Sequence, residues 1–576
     1  MPFFLPAADP AALFAQNRFA DAADAARKSG ESQVLIRALL RLDRWDEALG
    51  EAEDAARTHP ADADLLGLLA LAQFRAGRPG DALKSARAAR KLAPESYFAL
   101  VSESMLLSQW LDNEKAALPL AQKATRLRPD RPEGWWTLLQ ALDGPKGAPP
   151  VIARLQALRP RGHPFEDFLS DLGTLHATME ALERNRKRLE SENGTAFPDT
   201  VRLPITRELG MVFVETEVNG KKVKLLFDTG ASNALVLDAD VSRLVRPKFL
   251  SETIVRGVQG KAASRLLVAE KVSVGAVKLG RVPFREVADT PMCDGIFGGA
   301  LLDRYAVTLD FGRGELLLRR VKNGKALGDL PPIREATGPV KSYAVPFRQF
   351  SGNLYVPLTL VAAQAAGPTF SLSSPLWAIL DTGAQSGILS QRLAGALASG
   401  LPSEQVRTVS SEAPVGVGTT SAKMVMTMVP RPFFLTFEGG LTRPVPYGIG
   451  ASPLDKVISP GTGFETGALL GMPFYAQYRR VTFDYPNKKL VLETDETEAA
   501  LVPVASADPK RDPSKAPAEP AGDGKAWVFV TSAGSWVRMS ADSLPKGASA
   551  AAPFALPPGY RALKLDKADW VLIPTK

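Results

Sequence analysis

Over the first 160 or so residues, apolar positions recur with the helical period in a stretch rich in alanine and leucine. Three prolines, Pro60, Pro94 and Pro129, stand at intervals of 34 and 35 residues. Twelve residues before each is an alanine (Ala48, Ala82, Ala117), and five before each is another (Ala55, Ala89, Ala124). Small residues at fixed helical offsets let the two helices of a hairpin approach closely, and the proline ends the second helix. The pattern predicts an all-α solenoid of helical hairpins over residues 10–160. One more helix is expected over residues 165–192, inside a connecting segment at 161–200. Its charged end reads as a solvated face, and Asn193-Gly194 stops it.

At Val201 the pattern changes to alternating strands. Met211 to Val218 reads as a strand, Asn219-Gly220 as a hairpin turn, and Val223 to Phe227 as the returning strand. β character continues to about Glu493, broken by a Gly/Pro-rich stretch. Two all-β lobes are expected, at 201–322 and 343–496, with a linker at 323–342. A Pro/Ala-rich linker at 497–525 and a small β-rich module at 526–576 follow.

Composition narrows the chemistry. The chain has 576 residues, 45% hydrophobic and 23% charged, with a formal net charge of +8. Wholesale disorder is excluded, and so mild a charge excess gives no argument for nucleic acid. Cys293 is the only cysteine, so no intramolecular disulfide forms. His59, His163 and His176 lie far apart, so neither a metal site, a cofactor nor Ser-His-Asp chemistry is expected. The opening Met1-Pro2-Phe3-Phe4-Leu5-Pro6 lacks the basic start of a signal peptide, and no apolar run has membrane length. Cytoplasmic residence is the default expectation, with export left open.

The candidate chemistry sits in a repeated tripeptide. Asp228-Thr229-Gly230 follows Leu225-Leu226-Phe227, and Asp381-Thr382-Gly383 follows Ala378-Ile379-Leu380. Seven and eight residues past each Asp stand two apolar residues, Leu235-Val236 and Ile388-Leu389. A chain of this length holds about 0.1 such tripeptides by chance. The rest of each lobe repeats too. Ile296-Phe297-Gly298 and then Val307-Thr308-Leu309-Asp310-Phe311 answer Leu469-Leu470-Gly471 and then Val481-Thr482-Phe483-Asp484-Tyr485. Two carboxylates brought face to face share one proton and activate a water molecule.

Each β unit resembles a retropepsin-type aspartic peptidase domain, and the tandem resembles the two-lobed pepsin arrangement. The period of 34 with its Ala…Ala…Pro skeleton resembles the tetratricopeptide repeat, over roughly residues 29–131. The peptidase resemblance makes Asp228 and Asp381 the catalytic dyad. It implies that Thr229 and Thr382 cross-brace the two loops, and that Gly230 and Gly383 make the tight turns. Ser232 stands where the family often places a hydroxyl beside the outer carboxylate oxygen. Gln385 replaces it in the second copy. Ile296, Phe297, Gly298, Leu469, Leu470 and Gly471 would buttress the loops. Flaps are expected near Gly257 and Gly260 in lobe one and near Gly416 and Gly418 in lobe two.

The implied activity is endopeptidase hydrolysis of a protein or peptide substrate by a monomer, with the solenoid recruiting substrate or a protein partner. The alternative is a non-catalytic peptide-binding scaffold. A third arrangement pairs each lobe with a lobe of another chain.

Overall fold

The computed structural model describes residues 9–142, 146–163, 165, 171–189, 191, 194–208, 210–231, 235–257, 260–287, 293–334, 336, 338–350, 353–362, 370–371, 376–384, 387–390, 393, 407–413, 422–428, 433–437, 442–444, 450–452, 466–495, 526–530, 535–539, 560–564 and 570–574. The linker expected at 497–525 and the residues Ser232, Gln385, Gly416 and Gly418 lie outside them.

The amino-terminal region is a row of helices: α1 Pro10–Ala15, α2 Phe19–Ser29, α3 Ser32–Arg41, α4 Trp45–Thr58, α5 Ala63–Arg75, α6 Pro79–Leu92, α7 Tyr97–Gln109, α8 Glu114–Leu127, α9 Pro132–Gln140 and α10 Ala148–Leu158. α4, α6 and α8 each stop two residues before Pro60, Pro94 and Pro129. Other entries are capped locally: Asp62, Ser96 and Asn113 accept N–H bonds in the first turns of α5, α7 and α8. Ala48, Ala82, Ala117, Ala89 and Ala124 are fully buried and Ala55 nearly so. At Gly67 in α5, an added Cβ would meet the Phe98 carbonyl carbon of α7 at 2.5 Å. Glycine is what lets these two helices touch.

α3, α5, α7 and α9, the first helices of successive hairpins, lie side by side. Their shared face carries a segment of the chain itself. His163 N–H donates to the Arg41 carbonyl at 2.8 Å. Phe165, buried, sits 4.3 Å from the Arg41 guanidinium and 5.7 Å from the Trp136 ring. Arg41 also pairs with Glu133 at 2.7 Å, tying α3 to α9. Burial, with the Arg75 and Arg41 charges, pushes His163 down to about 2, so it stands there neutral.

The connecting helix α11, Leu172–Leu189, packs on the strand Lys248–Gly257. Thr178 Oγ1 donates to the Glu252 carbonyl at 3.3 Å.

Beyond α11 the chain is strands. Met211–Val218 and Lys221–Asp228 form the hairpin that delivers Asp228 to a strand end. The long hairpin Lys248–Gly257 with Gly260–Val274 pairs Gly257 with Gly260 at its tip. Its lobe-two counterpart pairs Arg407–Ala413 with Ala422–Met428.

The final hairpins of the two lobes merge. Tyr305–Asp310 pairs antiparallel with Arg480–Asp484, setting Thr308 opposite Thr482 with their hydroxyls 2.8 Å apart. One 15-stranded sheet therefore runs through lobe one and across to the lobe-two strands Val340–Pro346, Arg480–Asp484 and Lys489–Asp495. A single apolar core is continuous through both lobes, from Val201 and Val214 to Val345, Phe483 and Leu492. The connection at 323–342 is held at both ends. It begins with a hairpin pairing Val321 with Ala326, and the Pro331 and Pro332 carbonyls accept from Arg480 and Arg313. Lobe two adds a nine-stranded sheet, and the carboxyl-terminal module a four-stranded one.

Candidate active site

Both Asp-Thr-Gly loops are set by the same three-strand device. Lys221–Asp228 runs parallel to Gly295–Gly298, pairing Leu226 with Ile296, Phe227 with Phe297 and Asp228 with Gly298. Leu235–Asp238 returns antiparallel on the other edge. In lobe two, Leu376–Leu380 runs parallel to Thr466–Leu470, and Ile388–Ser390 returns antiparallel. The loop thus leaves one side of a buried strand and re-enters on the other. Gly471 follows that strand in lobe two and precedes the short helix Met472–Tyr475, whose first N–H donates to the Ala384 carbonyl at 2.8 Å.

The copies differ in register by one residue. Val236, eight past its Asp, stands opposite Ile296, whereas Ile388, seven past its Asp, stands opposite Leu469. The second loop is one residue shorter, so the apolar pairs that match in sequence do not occupy matching places.

Alternation along the strands decides what faces what. Leu225 and Phe227 enter the common core, as do Ala378 and Leu380. Leu226 and Asp228 therefore share the opposite face of one strand, and Trp377, Ile379 and Asp381 share that of the other.

The two loops meet. Four threonine hydrogen bonds cross between them. Thr229 Oγ1 donates to the Leu380 carbonyl and Thr382 Oγ1 to the Phe227 carbonyl, each at 2.7 Å. Thr229 N–H donates to Thr382 Oγ1 at 3.0 Å, and Thr382 N–H to Thr229 Oγ1 at 3.1 Å. Both threonines are buried, at 1% and 0% exposure. Gly230 and Gly383 have no room for a side chain. A Cβ on Gly230 would lie 2.6 Å from Asp381 Cγ, and one on Gly383 would lie 2.4 Å from Asp228 Cγ.

Asp228 and Asp381 hydrogen-bond each other and are partly buried. Burial raises both above the usual carboxylate range. Asp381 goes much further, because burial is reinforced by the Asp228 charge. Asp228 is held back by its hydrogen bond with Asp381 and by N–H donors. Gly230 donates to Asp228 Oδ1 at 2.7 Å and Ala231 at 3.1 Å, and the Gly383 N–H acts in the same sense. Asp381 Oδ1 accepts from Gly383 at 2.8 Å. The pair therefore holds a proton above the usual carboxylate range and titrates as a unit.

Two further groups that the motif did not single out stand near the carboxylate pair. Burial, then the Asp381 charge, holds the Tyr475 phenol protonated well above its ordinary range. Burial and the Asp228 charge do the same to Tyr485. Tyr485 reaches across from the lobe-two hairpin, and a Cβ on Gly299 of lobe one would meet its hydroxyl at 2.1 Å. The sequence signal was the contrast between copies: Leu302 and Phe311 hold the matching places in lobe one.

Among the described residues, no group of three or more His, Cys, Asp or Glu is placed to hold a metal ion. Within the same residues no helix is long and apolar enough to cross a membrane.

Comparison with known proteins falls on the same regions. A family described as aspartyl protease matches residues 214–301, and one described as bacterial transcriptional activator domain matches residues 22–96. No curated protein matches the chain. An aspartic proteinase from Irpex lacteus is 14% identical over 52% of this chain and 99% of its own, with a TM-score of 0.34. A retropepsin-like aspartic protease from Rickettsia conorii is 17% identical over 22% of this chain and 95% of its own, with a TM-score of 0.18. A thermophilic TPR protein from Thermus thermophilus is 19% identical over 30% of this chain and 95% of its own, with a TM-score of 0.24. The chain thus joins a helical region, part of which matches the bacterial transcriptional activator domain family, to β lobes, the first of which matches the aspartyl protease family.

Proposed function

We propose that the protein is an aspartic endopeptidase whose dyad is Asp228 and Asp381. The observation that carries this reading is the mutual hydrogen bond of the two carboxylates inside a loop pair locked by four threonine bonds. A decayed or purely structural pair of turns has no need of two like charges in one buried place.

In the reaction, Asp228 accepts a proton from water as the water oxygen bonds to the scissile carbonyl carbon. Asp381 donates its proton to the carbonyl oxygen, which would otherwise carry the developing charge. The C–N bond then breaks, the amine leaves with a proton, and the shared proton returns to the pair. Neither metal nor cofactor enters. The hairpin ending at Gly257 and Gly260 is the candidate flap of lobe one. An extended peptide lying along the open strand edges supplies the binding geometry.

The test is cleavage of a mixed peptide library from acidic to neutral pH. Asp228→Asn and Asp381→Asn are each expected to lower kcat/KM by about 10³-fold or more, the scale of a lost acid or base. Wild-type rates in either variant would refute the dyad.

A further inference from the structure

The two lobes provide an internal comparison. Leu226, Val236 and Ile296 in lobe one correspond by strand register to Ile379, Ile388 and Leu469 in lobe two. What closes these carboxylate-side faces differs. The lobe-one residues cluster with Met211, Phe213 and Val287, all from lobe one. The lobe-two residues cluster with Phe74 of α5 and with Met105 and Leu106 of α7.

Trp110, just past α7, makes the seam. Its ring meets the Trp377 ring edge-on at 4.7 Å, and the Arg348 guanidinium lies 4.9 Å from its centroid. Asp112, in the same turn, pairs with Lys488 of lobe two. Trp377 shares its strand face with Ile379 and Asp381. The helical region therefore rests on the apolar floor that leads to the Asp381 carboxylate, where Ile379 and Leu469 are each only 2% exposed.

We propose that the helical region is a built-in partner of lobe two that competes with peptide for this floor. The proposal rests on the peptidase reading. Substrate side chains reaching Ile379, Ile388 and Leu469 must first displace Trp110. The Trp110 turn is the part of the seam suited to release, since its aromatic edge contact, cation–π contact and exposed ion pair are each weak, while Phe74, Met105 and Leu106 bury apolar surface beside it. A protein that grips the turn after α7 would open the lobe-two half of the cleft. A peptide with apolar side chains would do the same by occupying it.

The test uses the full-length chain and fluorescein-labelled casein, an unfolded protein, as probe. In the inactive Asp381→Asn background, adding Trp110→Ala is expected to tighten casein binding about tenfold by fluorescence anisotropy. Adding Asp112→Asn instead removes the ion pair while keeping a residue that tolerates the positive φ of 50° there, and is expected to tighten binding about threefold. It also covers the case in which Trp110→Ala fails to fold, which circular dichroism reports. With the dyad intact, Trp110→Ala should lower KM for casein at unchanged kcat. Equal affinities across the variants would overturn the proposal. So would looser binding in Trp110→Ala, because Trp110 would then belong to the peptide site. Tighter binding without any cleavage by the intact dyad would sink the peptidase reading and leave the competitor standing. Cleavage with unchanged affinity would do the reverse.

Discussion

Asp228 and Asp381 are the same residue in the same tripeptide, yet their surroundings separate them. Burial raises both, so the folded protein binds protons more tightly at this pair than the unfolded chain does. The stability that the protonated pair contributes is present at low pH. It is lost as pH rises from the ordinary carboxyl range through the raised folded value. Asn at position 381 removes that loss. Asp381→Asn should therefore melt above the wild type at neutral and alkaline pH, with the gap closing toward acid. Melting temperature against pH measures this, and a gap that widens toward acid would contradict the assigned direction. At this scale the Asp, Thr and Gly of each loop were legible, because the tripeptide names them. Tyr475 and Tyr485 were not. A tyrosine in an apolar run reads as core, and only the fold brings it beside the Asp-Thr-Gly loops.

The helical hairpins were readable from spacing, since a proline cannot continue a helix and a buried alanine marks a close contact. α10 was not. It lies inside the expected helical region but outside the 34-residue spacing, and its Pro149 and Pro150 occupy the first turn, where the missing N–H has no helical partner to lose. Gly67 carried no signal of its own either, because its need for a bare Cα comes from Phe98 on another helix. Gly67→Ala would push α5 from α7 and is expected to cost about 2 kcal/mol. Chemical denaturation measures it, and a change under about 0.5 kcal/mol would show that α7 shifts freely. The one-residue difference between the loop returns was also invisible, since both copies offer two adjacent apolar residues and only strand register chooses between them.

At the scale of the molecule, the lobe duplication was legible from repeated motifs, while the seat of the helical region on lobe two was not. Trp110 closes a helix and Trp377 sits in an apolar strand, and neither position predicts the other. The merged final hairpins and the threonine bonds make the lobes interdependent. Thr382 Oγ1 serves both Phe227 and Thr229, so Thr382→Val leaves two buried backbone groups of lobe one without partners. The expected cost is about 3 kcal/mol. Urea unfolding should show it as one cooperative transition, and kcat should fall with it. An unchanged midpoint would mean that the lobes dock without this bond. These same bonds join residues 151 to 155 positions apart. On the ribosome the chain emerges amino end first, so Asp228 waits unpaired until the second loop and the last hairpin, through Asp495, have been made. The carboxylate pair is therefore assembled only after translation has passed the last hairpin, and a chain made only through the first lobe holds one carboxylate of the two.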